Sequence, residues 1–356
     1  MLHIYREPRV YSGASCILCK VVISLSDIKE LERKVLKFLF NHPWEYVPGR
    51  VLQGLFGVDH NTLQKIINRL RRKGFIIFSH RRKGYLFKVP DDLSRAQDFM
   101  ISALVGGFWW HAEYFSLVTS TRDMAKEYAE DWGVPSGFMI VAEEMTDAKG
   151  RFGKRWYAPE GGLWFTIVLR PKRFDVLALI PIAMTAAIAD AIKLITDIAV
   201  KIRWPNDIIH NNRKLGIIVV EPNIYYDRIN YVLLSVFLNV NNKIPKNVSD
   251  IGISLKELWG KPVPRVVLYK VIIHHFAQYY YYLKVKLHNL VLNAWRRHSE
   301  TLGRYVRIET PAEVIEGRAI DISSDNALVI KCKDGREILV YPDEVRKLTY
   351  IEESSS

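Results

Sequence analysis

The segment Ala148-Lys149-Gly150-Arg151-Phe152-Gly153-Lys154-Arg155-Trp156 is the most informative stretch of this 356-residue sequence. Its two glycines stand three residues apart and let the backbone turn tightly, so that N–H groups can face an anion. Four basic side chains within seven residues can neutralise such an anion. The spacing fits neither a Walker loop nor a dinucleotide fingerprint. The segment therefore predicts either an anion-binding loop or a solvated basic loop.

A second polar segment follows further along the chain. It runs Lys201-Ile202-Arg203-Trp204-Pro205-Asn206-Asp207, and Arg213-Lys214-Leu215-Gly216 then leads into a strand. An Asp that can hold a divalent ion, beside an Arg and a later Lys, suits nucleotide phosphates. The alternative is an ordinary turn, because Pro-Asn-Asp is common turn chemistry. Trp204 slightly favours a site.

Predicted strands and helices surround these two segments. The apolar pattern predicts strands at 138–142, 164–169, 216–220 and 231–240, and helices at 121–132, 176–199 and 266–283. From Gly303 onward the pattern is all strand, at 305–309, 316–322, 327–331 and 338–340, with Asp334-Gly335 as a hairpin turn. This order indicates an α+β protein in which a central mixed sheet with packed helices is followed by a small β-barrel.

The first quarter of the chain carries most of the positive charge. Residues 1–95 hold 18 Lys/Arg and 8 Asp/Glu, a net charge of +10 out of +13 for the whole chain. A basic module in front of a nearly neutral remainder indicates an appended nucleic-acid-binding unit, and a solvated basic face is the alternative.

The pattern of this basic region is that of a winged helix-turn-helix. Helical spacing from Ile28 to Leu39, a short helix at 50–56 and a helix capped by Asp59 precede strands at 75–78 and 85–89. In such a module the last helix enters the major groove and the wing reaches phosphates. The expected DNA contacts are Gln64, Lys65, Arg69, Arg71, Arg72, Arg81, Arg82 and Lys83. The alternative is a winged module used only for packing or dimer contacts.

These motifs together resemble the biotin protein ligase family, in the bifunctional form in which a winged helix-turn-helix precedes the ligase. The family's Gly-Arg-Gly-Arg-x-Gly-Arg loop and following Trp resemble 148–156, its Lys-Trp-Pro-Asn-Asp resembles 203–207, and its Lys-Leu-Ala-Gly resembles 214–217. Ser120-Thr121-Arg122 resembles the family's Ser-Thr-Asn, and residues 159–164 resemble its strand after the loop. Residues 82–85 resemble the family's wing, and Leu302-Gly303 resembles the start of its SH3-like domain. The resemblance extends from Asp27 to Lys347.

The resemblance implies a two-step reaction with ATP, Mg²⁺ and biotin as ligands. Biotin and ATP would form biotinyl-adenylate and pyrophosphate, and a lysine of a biotin carboxyl carrier domain would then attack the adenylate. Lys214 is implied to contact the carboxylate and α-phosphate, Arg151 and Arg203 to neutralise phosphate charge, and Asp207 to hold the metal. The implied nucleotide contacts are Gly150, Gly153, Lys154, Trp156, Asn206 and Asn239, and the implied substrate contacts are Ser120, Thr121 and Lys149.

Several positions depart from the family pattern on the biotin side. Met145 stands where the family has a Gln on the biotin head, and Ile217, Ser235 and Phe237 stand where it has glycines. Ala148-Lys149 replaces Gly-Arg, and Arg122 replaces Asn. Ile217 and Phe237 should project into the volume of the biotin head, which would cost complementarity. The alternatives to an active biotin ligase with a DNA-binding arm are a ligase for another carboxylic acid and a non-catalytic regulator on a ligase scaffold.

The sequence predicts an N-terminal extension at 1–26, the winged helix-turn-helix at 27–95, a ligase-like domain at 96–300, an SH3-like domain at 301–350 and a tail at 351–356. Cys16-x-x-Cys19 is a weak metal motif, and three cysteines cannot make a disulfide framework. The best apolar run, 176–189, is shorter than a membrane span, and no leader pattern opens the chain. We therefore expect a cytoplasmic protein without membrane contact, with a homodimer as one option.

Overall fold

A computed structural model describes residues 25–42, 45–72, 75–88, 93–96 and 110–352. The chain divides into two compact units, Met1–Val89 and Pro90–Ser356. The ligase-like region and the C-terminal strands therefore belong to one unit. The Cys16-x-x-Cys19 motif lies outside the described residues.

The N-terminal unit has the element order of a winged helix-turn-helix. It comprises α1 (Leu25–Asn41), β1 (Tyr46–Val47), α2 (Gly49–Phe56), α3 (His60–Arg72), β2 (Ile76–His80) and β3 (Gly84–Lys88), with sheet order β1-β3-β2. The backbone N–H of Thr62 donates to Oδ1 of Asp59 at 2.6 Å, which caps α3 as the sequence predicts. Gly84 has φ +100°, and a Cβ there would lie 2.1 Å from the carbonyl oxygen of Val47. Only glycine therefore lets β3 approach β1 this closely.

The second unit is built on a seven-stranded mixed sheet with the order β4-β5-β6-β10-β9-β8-β7. Its strands are β4 (His111–Val118), β5 (Phe138–Met145), β6 (Leu163–Leu169), β7 (Lys201–Arg203), β8 (Asp207–His210), β9 (Arg213–Tyr225) and β10 (Arg228–Leu238). The pair β4 and β5 is parallel, and the other neighbours are antiparallel. The sequence pattern predicts β5, β6, β9 and β10, but β4, β7 and β8 carry no comparable apolar run.

Helices cover both faces of this sheet. They are α4 (Thr121–Glu130), α5 (Phe174–Thr196), α6 (Leu255–Trp259), α7 (Arg265–Lys284) and α8 (His288–His298). On one face α5 packs against α7 and α8 over the main hydrophobic core, and on the other face α4 packs against β5, β6 and β10. Among the described residues, α5 is the one helix long and apolar enough to cross a membrane. Its burial in this core accounts for its composition.

The C-terminal strands form an open sheet. They are β11 (Tyr305–Glu309), β12 (Val314–Ile322), β13 (Leu328–Lys331), β14 (Glu337–Val340) and β15 (Lys347–Tyr350), in the order β14-β13-β12-β11-β15. The expected barrel is not closed, because the described edge strands β14 and β15 do not pair with each other. A 3₁₀ turn at Pro342–Glu344 instead carries the chain from the β14 edge to the far edge beside β11.

Candidate active site

A cleft of about 620 Å³ lies where the two polar segments of the sequence meet. The 148–156 loop, the turn that leads into β8, the start of β9, the 244–252 loop and the 345–348 segment form its walls. Nine of the predicted site residues line it: Gly150, Arg151, Lys154, Trp156, Arg203, Asn206, Asp207, Lys214 and Asn239. Gly153 belongs to the same loop but does not line the cleft. The structure therefore brings the two segments together at one cleft, the first as a largely exposed loop and the second as a turn.

The cleft is strongly basic. Its cationic lining residues are Arg151, Lys154, Arg155, Arg203, Lys214, Arg346 and Lys347, whereas Asp207 is the one acidic residue among the described lining residues. Such an imbalance favours a ligand with several negative charges, such as a nucleotide triphosphate.

The 148–156 loop is closed by hydrogen bonds between its own backbone groups. The N–H groups of Gly150 and Trp156 donate to the carbonyl oxygens of Lys154 and Ala148, both at 2.8 Å, and that of Lys154 donates to Arg151 at 3.2 Å. These three N–H groups are therefore not aimed at an anion, and the cationic side chains supply the loop's positive charge. Phe152 has φ 55°, a left-handed conformation that costs a non-glycine residue about 1 kcal/mol.

Lys214 and Asp207 form an ion pair in the wall of the cleft. Nζ of Lys214 lies 2.7 Å from Oδ2 of Asp207, and the two side chains are 38% and 20% exposed. The backbone of Lys214 is bonded to the facing loop: its N–H donates to the carbonyl of Ile251 at 2.6 Å, and its carbonyl accepts from Ile253 at 3.0 Å. The ammonium group is thus held at the cleft surface by the start of β9.

Arg151 reaches from the loop to the C-terminal sheet. Its Nη2 donates a hydrogen bond to the carbonyl oxygen of Pro342. Burial lowers the pKa of Arg151, and attraction to Asp207 and Asp343 opposes that shift. Arginine stays protonated at neutral pH, so this guanidinium is a fixed positive charge in the cleft.

Trp204 stabilises the attachment of the C-terminal region to the central sheet. It is almost fully buried, its N–H donates to Oγ1 of Thr301 at 3.0 Å, and its Nε1 donates to the carbonyl oxygen of Asn326 at 3.3 Å. The sequence took Trp204 only as a slight indication of a site, and the residue lines the cleft while its indole is bonded to the C-terminal region.

Asn206 and Asn239 are buried amides in the cleft wall. The Nδ2 of Asn206 donates to the carbonyl oxygen of Ile218, and Oδ1 of Asn239 accepts from Nδ2 of Asn242 at 3.0 Å. These bonds fix the two side chains in place before any ligand binds.

The predicted substrate contacts Ser120, Thr121 and Lys149 do not line the cleft. Oγ of Ser120 caps α4 by accepting from the N–H of Asp123 at 3.3 Å, and Nζ of Lys149 pairs with Asp147 at 2.7 Å. Ser120 lines a second cavity, of about 500 Å³, between the end of β4 and α4. The structure therefore places the implied substrate contacts outside the cleft that the implied nucleotide contacts line.

A cluster of apolar side chains lies between the cleft and this second cavity. It consists of Val118, Ala142, Met145, Ala148, Ala158, Trp164, Ile217, Val219 and Phe237, and Trp156 packs against it. Ile217 lines the cleft and Val118 lines the second cavity, so the cluster spans the distance between them. Phe237 is 1% exposed, and its ring centroid is 6.3 Å from that of Trp156. We call this group the apolar cluster.

The polar groups beside the apolar cluster are bonded to one another. The hydroxyls of Thr121 and Thr166 lie 2.9 Å apart, and those of Thr166 and Ser235 also lie 2.9 Å apart. All three residues are fully buried. Each of these three hydroxyls therefore already has a partner within the fold.

The predicted DNA contacts fall into two groups. Gln64, Lys65 and Arg72 on α3 and Arg81, Arg82 and Lys83 in the turn between β2 and β3 are exposed. Arg69 and Arg71 are engaged within the unit. Arg69 pairs with the buried Glu32 of α1, and Nε of Arg71 donates to the carbonyl oxygen of Ile77 at 2.8 Å.

Sequence reasoning missed the contribution of the C-terminal strands to the cleft. Val345, Arg346, Lys347 and Leu348 line it, and so does Asn212 in the turn before β9. The 345–348 segment lies far along the chain from the two polar segments. The one sequence feature of this segment that could have indicated a site is the pair Arg346-Lys347, and such a pair is common at exposed strand ends.

Comparison with known proteins gives two family matches. Residues 114–241 match the biotin/lipoate A/B protein ligase family, and residues 301–341 match the biotin protein ligase C-terminal domain. The bifunctional ligase/repressor BirA of Bacillus subtilis is 29% identical over 315 residues, which cover 85% of this chain and 95% of the relative. The protein of the same name from Escherichia coli is 26% identical over 179 residues, half of this chain and 54% of the relative.

The fold is similar to that of solved biotin protein ligases. The Aquifex aeolicus enzyme, solved in complex with biotin and ATP, has a TM-score of 0.60 and 26% identity, and the match covers 67% of this chain and 99% of that one. The two polar segments that form the cleft both lie within residues 114–241. The chain therefore carries a biotin/lipoate ligase domain and a biotin protein ligase C-terminal domain, and in sequence and fold it is similar to the biotin protein ligases.

Proposed function

We propose that this protein is an ATP-dependent biotin protein ligase that forms biotinyl-5′-AMP and transfers biotin to a lysine of a carboxylase carrier domain. The observation that carries the proposal is the basic cleft, which Arg151, Arg203 and Lys214 line together with Asp207, the one acidic residue among its described lining residues. The matched domains and the complex of the Aquifex aeolicus enzyme with biotin and ATP support the acyl group, and the acceptor is the one that the sequence resemblance implies. We also propose a cytoplasmic location, where the ATP that the reaction consumes is present.

The cleft suits the formation of an acyl-adenylate. A carboxylate oxygen attacks the α-phosphorus, the bond to the β-phosphate oxygen breaks, and pyrophosphate leaves. The reaction needs no enzyme nucleophile, so the protein contributes by orienting both anions and neutralising the charge that develops between them. Nζ of Lys214 can serve the carboxylate and the α-phosphate, while Arg151 adds a fixed charge. In the second step the acceptor amine attacks the acyl carbon and AMP leaves.

Asp207 is the residue that would hold Mg²⁺. Among the described residues no group of three or more His, Cys, Asp or Glu side chains is arranged to hold a metal. One carboxylate fits Mg²⁺ if ATP phosphates and water complete the coordination, which is the usual arrangement for this ion in nucleotide sites. The ion would supply further neutralisation of phosphate charge.

Pyrophosphate release tests the proposed reaction. We expect the wild-type protein to release pyrophosphate when it is given ATP and biotin, and to label a carrier domain with biotin. No release with biotin or with lipoate would favour a regulator on a ligase scaffold.

The apolar cluster favours a second candidate, a ligase for a different carboxylic acid. Met145, Ile217 and Phe237 fill a region beside the nucleotide cleft, and Cδ1 of Ile217 lies 2.8 Å from the position that a Cβ on Gly150 would take. A biotin head would need this volume together with partners for its ureido group. Each unpaired polar group in a dry pocket costs about 1–3 kcal/mol.

We expect biotin to bind at least about tenfold more tightly to the double variant Ile217→Gly/Phe237→Gly than to the wild type, because the two side chains fill the volume that the biotin head needs and relief of an overlap of about 1–3 kcal/mol is enough for that factor. Calorimetric titration of biotin measures both constants. Val219→Gly is the matched control, since it removes a side chain of the same cluster and leaves Ile217 and Phe237 in place. Tight wild-type binding that the double variant leaves unchanged would restore the ordinary ligase pocket.

The N-terminal unit is the proposed DNA-binding arm. Gln64, Lys65 and Arg72 occupy the helix that such modules insert into the major groove, and Arg81, Arg82 and Lys83 form the tip of the wing. Their exposure supports contact with phosphates, and the charge balance of the first 95 residues agrees with it.

A further inference from the structure

Arg203 is held by side chains from three separate parts of the fold. Its Nη2 donates to Oδ1 of Asn212 at 2.8 Å and lies 3.6 Å from Oε2 of Glu300. Its guanidinium carbon lies 4.9 Å from the ring centroid of Tyr350. Arg203 itself ends β7 and lines the cleft. The C-terminal sheet and the linker before it therefore both contact this cleft-lining side chain.

The backbone around these partners is bonded to the central sheet. The N–H of Glu300 donates to the carbonyl oxygen of Ile202 at 2.9 Å, and the N–H of Trp204 donates to Oγ1 of Thr301 at 3.0 Å. That same Oγ1 lies 3.2 Å from the hydroxyl of Tyr350. The residues on either side of Arg203 are thus bonded to the linker that carries Glu300. Small movements of Arg203 relative to its partners are restricted.

The charges in this group are incompletely paired. Glu300 is 16% exposed, its second cation is Arg304 at 3.9 Å, and its Oε2 is buried without a hydrogen bond in the described part of the chain. Nε of Arg203 is likewise buried without a hydrogen-bond partner among the described residues. One donor of this cleft-lining guanidinium therefore lacks an acceptor among the described residues.

An arginine is needed for this arrangement. A planar guanidinium can stack on an aromatic face, pair with a carboxylate and present further N–H groups to a phosphate at the same time. A lysine ammonium is a point charge on a flexible stem and cannot do all three. Asn212, Glu300 and Tyr350 are therefore matched to the guanidinium and not merely to a positive charge.

We propose that Glu300 and Tyr350 are positioning residues that hold the guanidinium of Arg203 in the wall of the cleft, so that the C-terminal sheet contributes to ATP binding through Arg203. The inference rests on the proposed function for the identity of the nucleotide. It assigns no contact with ATP to Glu300 or Tyr350 themselves.

Calorimetric titration of ATP into the full-length protein tests this assignment without any acyl substrate. We expect Glu300→Gln to weaken ATP binding about tenfold and Tyr350→Leu about fivefold, since each loosens Arg203 before the nucleotide arrives. Tyr350→Phe keeps the ring and should bind ATP within about twofold of the wild type. In adenylate formation the loss should fall on KM for ATP more than on kcat.

The background variant Arg203→Lys shows whether the two residues act through Arg203. In that background Glu300→Gln and Tyr350→Leu should cause no further loss, because the group that they position is gone. Glu316→Gln is the matched control: it removes a carboxylate that pairs with Arg307 on the same C-terminal sheet at 2.5 Å, outside the cleft lining. A thermal unfolding midpoint close to that of the wild type shows that each variant is folded, and Glu300→Asp should restore part of the affinity.

Two results would overturn the proposal. One is unchanged ATP affinity in Glu300→Gln and Tyr350→Leu, and the other is an equal loss in the wild-type and Arg203→Lys backgrounds. Because ATP binding is measured alone, a protein that binds ATP but does not activate biotin would refute the proposed ligase reaction and leave this inference standing.

Discussion

Replacing Lys214 with Ala should slow adenylate formation by about 10²–10³-fold, because one preorganised charged donor at a developing negative charge contributes that much. Nζ of Lys214 is the cation that lies at the surface of the cleft beside Asp207. Its loss removes stabilisation of the transition state, in which the carboxylate and the α-phosphate are both negative and come into contact. Pyrophosphate release in the presence of biotin and ATP measures the rate.

The fold should survive this change. Lys214 is more than one third exposed, and an ion pair of that kind contributes at most about 1 kcal/mol to the free energy of unfolding. Arg213→Ala is the matched control: Arg213 is the preceding residue, its Nη1 pairs with Glu257 at 2.9 Å, and it does not line the cleft. If the Arg213 variant reacts at the wild-type rate and the Lys214 variant is slow, the loss of rate is due to the missing ammonium group in the cleft. A Lys214 variant as fast as the wild type would remove this residue from the mechanism.

Reversing the charge of four residues in the N-terminal unit should abolish DNA binding. The variant is Arg72→Glu/Arg81→Glu/Arg82→Glu/Lys83→Glu, which changes the exposed cations of α3 and the wing tip. Four lost phosphate contacts and four added repulsions lower the affinity by more than about 10³-fold. For the wild type, raising the salt concentration from about 50 to 200 mM should weaken binding about a hundredfold, as expected for roughly four released counterions. Gel-shift titrations measure both effects.

Arg69 and Arg71 are left unchanged in this variant for a structural reason. Arg69 pairs with the buried Glu32, and Nη2 of Arg71 donates to Oγ of Ser79 at 2.6 Å, so reversing either charge would disturb the unit itself. The control carries four reversals on the second unit, Lys126→Glu, Arg228→Glu, Lys256→Glu and Lys331→Glu, all at exposed positions. It has the same net charge as the test variant and should bind DNA as the wild type does, apart from a long-range effect that salt screens. Affinity that is indifferent to salt and to the arm variant would reduce the winged unit to a packing module.

The sequence alone was sufficient for features that depend on neighbouring residues. Helical spacing at Leu63, Ile66, Ile67 and Leu70 predicts the buried face of α3, and Asp59 predicts its start. The loop at 148–156 and the turn at 203–207 were identified by their residue types and spacing. Nine of the site residues that the sequence predicted line one cleft. Local conformation and the choice of reactive groups are recorded in runs of a few residues, so a pattern can reveal them.

The local sequence pattern did not predict that the short segments β7 and β8 are strands of the central sheet. Strands β7 and β8 have only three and four residues. They are strands because β9 and its neighbours supply partners for their backbone groups. The same reasoning applies to the C-terminal sheet: a count of short strands predicts a barrel, but closure depends on whether the two edge strands meet.

Only the tertiary structure decided which charged side chains are free to contact a ligand or DNA and which residues surround them. Arg69 and Arg72 are three residues apart on one helix, yet a buried glutamate from α1 engages the first and leaves the second exposed. Ile217 and Phe237 are ordinary strand residues in the sequence, and they fill the region beside the cleft because β9 and β10 pair with these two residues opposite each other. Arg203 meets Glu300 and Tyr350, which lie about a hundred or more residues further along the chain. Such contacts depend on how distant elements pack, and no local run of residues records that packing.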